Sequence, residues 1–180
     1  INIPFNQLNS PPKDLENALS QQLYILKAAT EAVGEVDDIP WERTSVIVGM
    51  QCDAEIARYG LRWRLENLLL NEAGIRLQES ELERIKSAII SALVPSGVTG
   101  TLPNMVTNRL NAQFDARGPS FSLSNEQLSG LTALTLAERC LKRGEIDAAV
   151  IGAVDMCCEM IHHTSAKHCL PDSQHIPGDA

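Results

Sequence analysis

Residues 118–156 read GPSFSLSNEQLSGLTALTLAERCLKRGEIDAAVIGAVDM, and this stretch decides the fold. Polarity alternates over 120–124, which predicts a short strand. Apolar residues recur at helical spacing over 128–143, and Gly144 is typical of a helix C-terminus. The apolar run 148–154 predicts a buried strand. The stretch is therefore strand, sharp turn, helix and strand, an arrangement with which many enzymes hold a nucleophile at a positive helix end.

The remainder of the chain continues the alternation of helices and strands. The β-branched run Thr44–Met50 predicts a central strand that is covered on both faces. We expect helices over 15–33 with Asp14 as N-cap, from a capping box at Ser80 and Glu83 to residue 94, and over 102–118, with 94–101 as a loop. Residues 53–73 are also expected to be helical, as two helices or one bent helix, because Gly60 interrupts them. This order predicts an α/β fold with a mainly parallel or mixed sheet.

Composition limits the classes of function. The 180 residues suffice for one domain, and a net charge of −8 with a pI near 5.0 argues against a nucleic-acid surface. No apolar run is long enough to cross a membrane, and residues 1–13 show no signal-peptide pattern, so we expect a cytoplasmic protein with no membrane partner. Both ends, INIPFNQ and GDA, look cut from a longer chain, so residues 1–180 are expected to be a partial domain.

Three of the five cysteines and all four histidines lie after residue 156. Cys157 and Cys158 are adjacent, as are His162 and His163, and no C-x2-C or H-x3-H pair recurs. We therefore expect neither a metal site nor a disulfide framework.

A cluster of arginines at 58, 62 and 64 surrounds Trp63. Such a cluster can bind a phosphate or a partner's carboxylate. Pairing with Asp53, Glu55 or Glu66 is the interpretation that we prefer.

The motif G-P-S-F followed by E-Q and G resembles the N-terminal half of a β-ketoacyl synthase, a condensing enzyme of the thiolase-like fold. The family pattern around the nucleophile runs G-P-S-F-T-V-D-T-A-C-S-S-S-L, and residues 118–131 here read GPSFSLSNEQLSGL. The segments NRLNAQFDARG, CLKRGEIDAAVIGAVDM and SVIVGM also match the family in the same order. The resemblance implies a mixed sheet layered between helices, truncated to the first half of the domain. An unrelated α/β domain with a chance GPSF would not match at several ordered places.

The resemblance implies that the catalytic cysteine of the family is replaced by Gln127. A cysteine there attacks the acyl thioester, whereas an amide neither ionises near neutral pH nor acts as a nucleophile. Cys140 lies in the same predicted helix, more than three turns away, and cannot substitute. The family's two catalytic histidine motifs belong to its second half and are absent from these residues. This chain is therefore expected to form no acyl-enzyme.

The pair Glu126-Gln127 is similar to the chain-length-factor branch of the family. Members of that branch pair with an active ketosynthase and shape the tunnel that holds the growing acyl chain. The segment 50–65, MQCDAEIARYGLRWRL, resembles the version of this branch that is found in polyunsaturated fatty acid synthases. The implied partners are an active ketosynthase, as a dimer, and an acyl carrier protein whose phosphopantetheine carries the substrate, with no other cofactor. The implied dimer interface includes residues 120–124, with 103–114 nearby, and tunnel-lining side chains come from there and from the helices between 61 and 94.

The alternative is an enzyme, a malonyl-carrier-protein decarboxylase of the glutamine-for-cysteine type. In that hypothesis Gln127 positions the thioester through its amide, and histidines outside this chain support the loss of carbon dioxide. Glu126 favours the chain-length factor, because loading decarboxylases more often keep a small residue there.

Overall fold

The computed structural model describes residues 8–156, 159, 160, 164, 165 and 168. They fall into two compact units, of which the first contains residues 8–53 and 96–156. The second contains residues 54–95 and the described residues beyond 156. The helices and strands in chain order are α1 (Pro12–Glu16), α2 (Ser20–Val33), β1 (Thr44–Met50), α3 (Ile56–Ala73), α4 (Glu79–Ile89), α5 (Pro95–Thr101), α6 (Met105–Phe114), β2 (Phe121–Leu123), α7 (Ser129–Lys142) and β3 (Ala148–Val154).

The three strands form one parallel sheet in the order β2-β1-β3. Ile47 pairs with Phe121 on one side of β1 and with Ile151 on the other. All seven residues of β1 are buried, which confirms the predicted central strand. We expected a mainly parallel or mixed sheet. Both pairings among the described strands are parallel.

Helices cover both faces of β1. Val46, Val48 and Met50 pack on one face in a cluster with residues of α2 and α6. Ile47 points to the opposite face, where it meets Ala133 and Ala137 of α7, both fully buried. Because these alanines are small, α7 lies close to the sheet. The predicted layering of a sheet between helices is confirmed.

The single helix predicted over 15–33 is two helices. Leu19, rather than Asp14, is the N-cap of α2, and Asp14 lies inside α1. The interruption has a tertiary cause, because the Leu19 N–H donates to the carbonyl oxygen of Gly100 at 3.1 Å. A Cβ atom on Gly100 would lie 2.2 Å from the carbonyl oxygen of Asn17, so the two segments touch through their backbones.

Three further expectations about helices are wrong in detail. The segment 94–101 forms helix α5 instead of a loop. The capping-box arrangement at α4 involves Gln78, whose N–H donates to Glu81 at 3.2 Å, rather than Ser80 and Glu83. Helix α3 begins three residues later than expected and runs unbroken to Ala73, where left-handed Gly74 ends it. None of the described helices is long and apolar enough to cross a bilayer.

Candidate functional site

The turn between β2 and α7 holds Gln127. The Leu128 N–H donates to the carbonyl oxygen of Asn125 at 3.0 Å, and the Ser129 N–H donates to that of Glu126 at 3.2 Å. Glu126 adopts a φ of +48°, a left-handed conformation that is uncommon outside glycine. The backbone therefore reverses sharply one residue before Gln127, as the sequence predicted.

Ser129 fixes this turn from the first residue of α7. Its hydroxyl accepts a hydrogen bond from the Asn125 N–H at 2.9 Å and donates one to the carbonyl oxygen of Glu126 at 2.6 Å. The residue is only 6% exposed, so these bonds are shielded from water. A third hydrogen bond runs from the Asn125 side-chain amide, which donates, to the Thr132 hydroxyl at 2.9 Å. Two positions of α7 thus hold the turn in one conformation.

Glycines allow the start of α7 to touch the sheet. A Cβ atom on Gly49 of β1 would lie 2.5 Å from the carbonyl carbon of Ser129. A Cβ atom on Gly130 would lie 2.9 Å from the Cβ atom of Ala153 in β3. Both distances are far below van der Waals contact, so a side chain at either position would push the helix away. Glycine at these two positions therefore lets α7 lie directly against β1 and β3.

Gln127 is an exposed residue directly before the N-cap of α7, Leu128. It lies at a pocket of about 190 Å³ at the carboxyl ends of β1 and β3. In open sheets with parallel strands, ligands bind outside this end of the strands. The lining residues are Gly49, Met50, Gln51, Glu126, Gln127, Ser129, Gly130, Ala153, Val154 and Asp155.

The lining sets what the pocket can do chemically. Gln127 offers one amide carbonyl and two N–H donors, which hydrogen-bond a carbonyl or an amide but do not attack it. The charged side chains among the described lining residues are Glu126 and Asp155, and none of that lining is Lys, Arg or His. The described lining therefore offers hydrogen-bonding groups, apolar surface and two carboxylates.

Neither described cysteine supplies a nucleophile to this pocket. Cys140 lies in the last turns of α7, about 16 Å from Ser129 at the rise of an α-helix. Partial burial, together with the nearby Glu145, raises the pKa of the Cys140 thiol, so it is a poorer source of thiolate than a free cysteine. Cys52 follows β1 and is exposed, but it is not part of the pocket lining.

The expectation about metals concerns residues that mostly lie outside the described part of the chain. Cys157, Cys158, Cys169, His162, His163 and His175 are among them. Within the described residues, no group of three His, Cys, Asp or Glu side chains could hold a metal ion.

The arginines of the second unit make ion pairs. Arg58 pairs with Glu159 at 2.5 Å and with Glu55 at 3.7 Å. Arg62 donates to Glu83 at 2.9 Å. The preferred interpretation, pairing within the chain, is confirmed for Arg58 with Glu55, whereas Arg62 pairs with Glu83, which was not among the predicted partners.

A second pocket, of about 260 Å³, lies within that unit. Its lining joins the end of α3, the segment 75–77 and Leu82 of α4, and four of its seven residues are leucines. It falls in the range 61–94 that was expected to supply tunnel-lining side chains.

Sequence reasoning located Gln127 but missed most of the pocket around it. Gln51 and Asp155 follow the carboxyl ends of β1 and β3, and these strands are adjacent and parallel. That adjacency was the signal that could have identified both residues. The hydrogen-bonding role of Ser129 was also missed.

Comparisons with known proteins agree with this architecture. The model of the "Beta-ketoacyl synthase, N-terminal domain" family matches residues 7–176. A component of the polyunsaturated fatty acid synthase from Thraustochytrium sp. is 27% identical over 157 residues, which is 87% of this chain and 7% of that protein. A polyketide synthase from Burkholderia thailandensis is 29% identical over 82% of this chain and 2% of its own length.

Solved structures show the same fold. A structure described as PfaC keto synthase-chain length factor superposes with a TM-score of 0.63 and 26% identity, covering 77% of this chain and 16% of that one. The ishigamide ketosynthase/chain length factor superposes with a TM-score of 0.62 and 16% identity, covering 97% and 43%. The fold is thus thiolase-like, and this chain spans less than half of these structures. The family match and the placement of strand, turn and helix together identify the chain as a member of the β-ketoacyl synthase family, within its N-terminal domain.

Proposed function

We propose that this chain is part of a chain-length factor, a ketosynthase-like component that does not condense acyl groups itself. The observation that carries the proposal is Gln127, which stands at the start of α7 and lines the pocket where the family pattern has its cysteine. A neutral amide there forms no thioester. The 27% identity to a component of a polyunsaturated fatty acid synthase supports a role in making such fatty acids.

The partner in this proposal is an active ketosynthase that bears the cysteine. Support comes from the structure described as a keto synthase-chain length factor, which is 26% identical to this chain. Strand β2 lies at the edge of the sheet, and its Phe121 is 40% exposed. An edge strand with an exposed aromatic residue is suited to pairing with another chain. Substrates would arrive on the phosphopantetheine of an acyl carrier protein.

The leucine-rich pocket in the second unit, whose lining also includes Glu66 and Arg76, supports a contribution to an acyl tunnel. Leu69, Leu70 and Leu82 line it, as expected of a surface that contacts hydrocarbon. In this proposal the size of such surfaces limits the length of the product.

A reconstitution tests the proposal. The full-length protein, its ketosynthase partner and both together are supplied with acyl-loaded and malonyl-loaded carrier protein, and products and acylated peptides are identified by mass spectrometry. We expect full-length product only from the mixture, with the acyl group bound to the partner's cysteine. Condensed product from this protein alone, or an acyl group attached to its own peptide 118–139, would overturn the proposal.

A further inference from the structure

We propose that Ser120 and Ser122 are positioning residues for the edge of the sheet that faces the ketosynthase partner, because their hydroxyls hold β2 in place with Phe121 between them. This inference rests on the proposed function, since it takes the edge at β2 to be the surface that pairs with the ketosynthase. It adds the residues that keep this surface in one position.

Strand β2 makes little backbone pairing of its own. It has three residues, and its register with β1 contains three pairs, whereas β3 pairs with all seven residues of β1. Among the described strands β2 lies at the edge of the sheet, with β1 as its neighbour on one side. So short an edge strand opens easily unless further bonds hold it.

The hydroxyl of Ser120 extends the contact with β1. It accepts the Val46 N–H at 2.9 Å and donates to the carbonyl oxygen of Gly118 at 3.1 Å. Val46 is fully buried, so water cannot replace the hydroxyl as the acceptor of this N–H. The hydroxyl of Ser45 donates in the opposite direction, to the carbonyl oxygen of Pro119. Side chains thus join β1 to the residues directly before β2.

The hydroxyl of Ser122 ties β2 to a second part of the fold. The register places Ser122 beside Val48, on the face of β1 that α2 and α6 cover. Its hydroxyl donates to the carbonyl oxygen of Pro103, two residues before α6, at 3.0 Å. The carbonyl oxygen of Leu102 accepts the side-chain amide of Gln22 at 3.0 Å, and Gln22 is buried in α2. Strand β2 is therefore bound to a segment that is itself anchored in the core.

These two serines matter for pairing because Phe121 lies between them. Side chains alternate along a strand, so the ring lies on the face of Ile47 and opposite to Ser122. A partner that packs on this ring binds only those molecules in which β2 is in position, and its apparent affinity falls with that fraction. Loss of one hydrogen bond shifts such a local equilibrium about fivefold.

The test compares Ser120→Ala, Ser122→Ala and the variant with both changes, all as full-length protein. Hydrogen exchange of the unpaired protein reports the opening of β2, and analytical ultracentrifugation with the ketosynthase partner gives the affinity. We expect the protected amides of 121–123 to exchange about fivefold faster in each single variant. The variant with both changes should pair at least about fivefold more weakly than the unmodified protein.

Thr44→Val is the matched control, because it also removes a buried hydroxyl that donates to a backbone carbonyl, that of Pro40, at 2.8 Å. It should pair like the unmodified protein. Ser120→Thr and Ser122→Thr keep the hydroxyl and should pair more tightly than the alanine variants. Circular dichroism at the temperature of the measurement checks that each variant is folded. If the variant with both changes does not fold, the single variants decide, and each should pair more weakly than Thr44→Val.

Unchanged exchange of 121–123 in the alanine variants would overturn the inference, even with weaker pairing, because the hydroxyls would then act on the partner directly. Pairing of the alanine variants as tight as that of Thr44→Val would also overturn it, as would threonine variants that pair no better than alanine. The unmodified protein reports separately on the proposed function. If it does not pair with the ketosynthase, the proposed function fails. If it pairs and the alanine variants pair equally well, only the role of the two serines falls.

Discussion

The hydroxyl of Ser129 donates a hydrogen bond of 2.6 Å to the carbonyl oxygen of Glu126. The same hydroxyl accepts the Asn125 N–H at 2.9 Å, so one buried side chain closes the turn from both ends. Gln127 lies between the residues that this bond joins. The turn that presents the glutamine is thus held by hydrogen bonds from the first residue of α7.

Removal of that hydroxyl should loosen the turn. We expect Ser129→Ala to lower the free energy of unfolding by about 1–2 kcal/mol, since two hydrogen bonds are lost at a buried position. Hydrogen exchange of the amides in 125–132, measured on the full-length protein, should become faster. Ser124→Ala, at an exposed position nearby, is the control and should leave exchange unchanged. Equal exchange in both variants would contradict the assigned role of Ser129.

Two glycine substitutions should have opposite effects. Gly49→Ala places a Cβ atom 2.5 Å from the Ser129 backbone, so β1 and α7 must separate, and overpacking of this kind costs about 1–3 kcal/mol. Gly60→Ala in α3 meets only the end of Arg64, at 3.6 Å, and should stabilise its helix by about 0.5–1 kcal/mol. Thermal unfolding of the full-length variants measures both. An unchanged melting temperature in Gly49→Ala would show that α7 does not pack directly against β1.

Pairing with a ketosynthase should depend on the exposed ring of Phe121. A buried charge in place of an aromatic anchor costs about 2 kcal/mol or more, so Phe121→Asp should weaken pairing roughly 30-fold or more. Val36→Asp makes the same kind of change at a residue that is 57% exposed in a loop, and it should pair normally. Analytical ultracentrifugation of each variant with the partner gives the two affinities. Normal pairing of Phe121→Asp would exclude β2 from the interface.

The contact between α3 and α4 should weaken in acid. The hydrogen bond from Lys86, at 2.9 Å, and the nearby Arg62 lower the pKa of Glu83. A group whose folded pKa is depressed stabilises the fold above its unfolded pKa, here about 4.3, and that stability is lost as pH falls through the folded value. At pH 7 the amides of α3 and α4 should therefore be less protected from hydrogen exchange in Glu83→Gln than in the unmodified protein, after correction for the intrinsic effect of pH on exchange.

At a pH below the folded value the difference between Glu83→Gln and the unmodified protein should vanish, because both side chains are then neutral. Glu72→Gln, exposed on α3, is the control and should match the unmodified protein at every pH. A difference that persists in acid would show that shape, rather than charge, accounts for the contact.

Local patterns sufficed to predict the elements that hold Gln127. The strands Thr44–Met50 and Ala148–Val154 have the predicted bounds, and the helix of 128–143 is observed as Ser129–Lys142. The expectation that 148–154 is buried is wrong, because the residues of β3 are partly buried or exposed. These segments are long, strongly patterned and bounded by glycine or polar turns, so local sequence and tertiary contacts agree. The position of the candidate residue followed from them.

Features set by contacts between distant segments escaped prediction. The backbone of Gly100 contacts that of Asn17. This contact lies between α1 and α2, which the periodicity of apolar residues predicted to be one continuous helix. The Gln22 amide donates to the carbonyl oxygens of Gly100 and Leu102, at 2.8 and 3.0 Å, which holds the end of α5 although its glycines suggest a loop. The pocket likewise depends on which strands are neighbours. Spacing along the chain contains none of this information.

The central claim is that Gln127 replaces a nucleophile without providing chemistry of its own. The most direct measurement is release of carbon dioxide from malonyl-loaded carrier protein by the full-length protein, without its ketosynthase partner, compared with Gln127→Ala. We predict that neither protein releases carbon dioxide above the rate of the carrier alone. Release by the unmodified protein that is lost in Gln127→Ala would contradict the account and establish a decarboxylase.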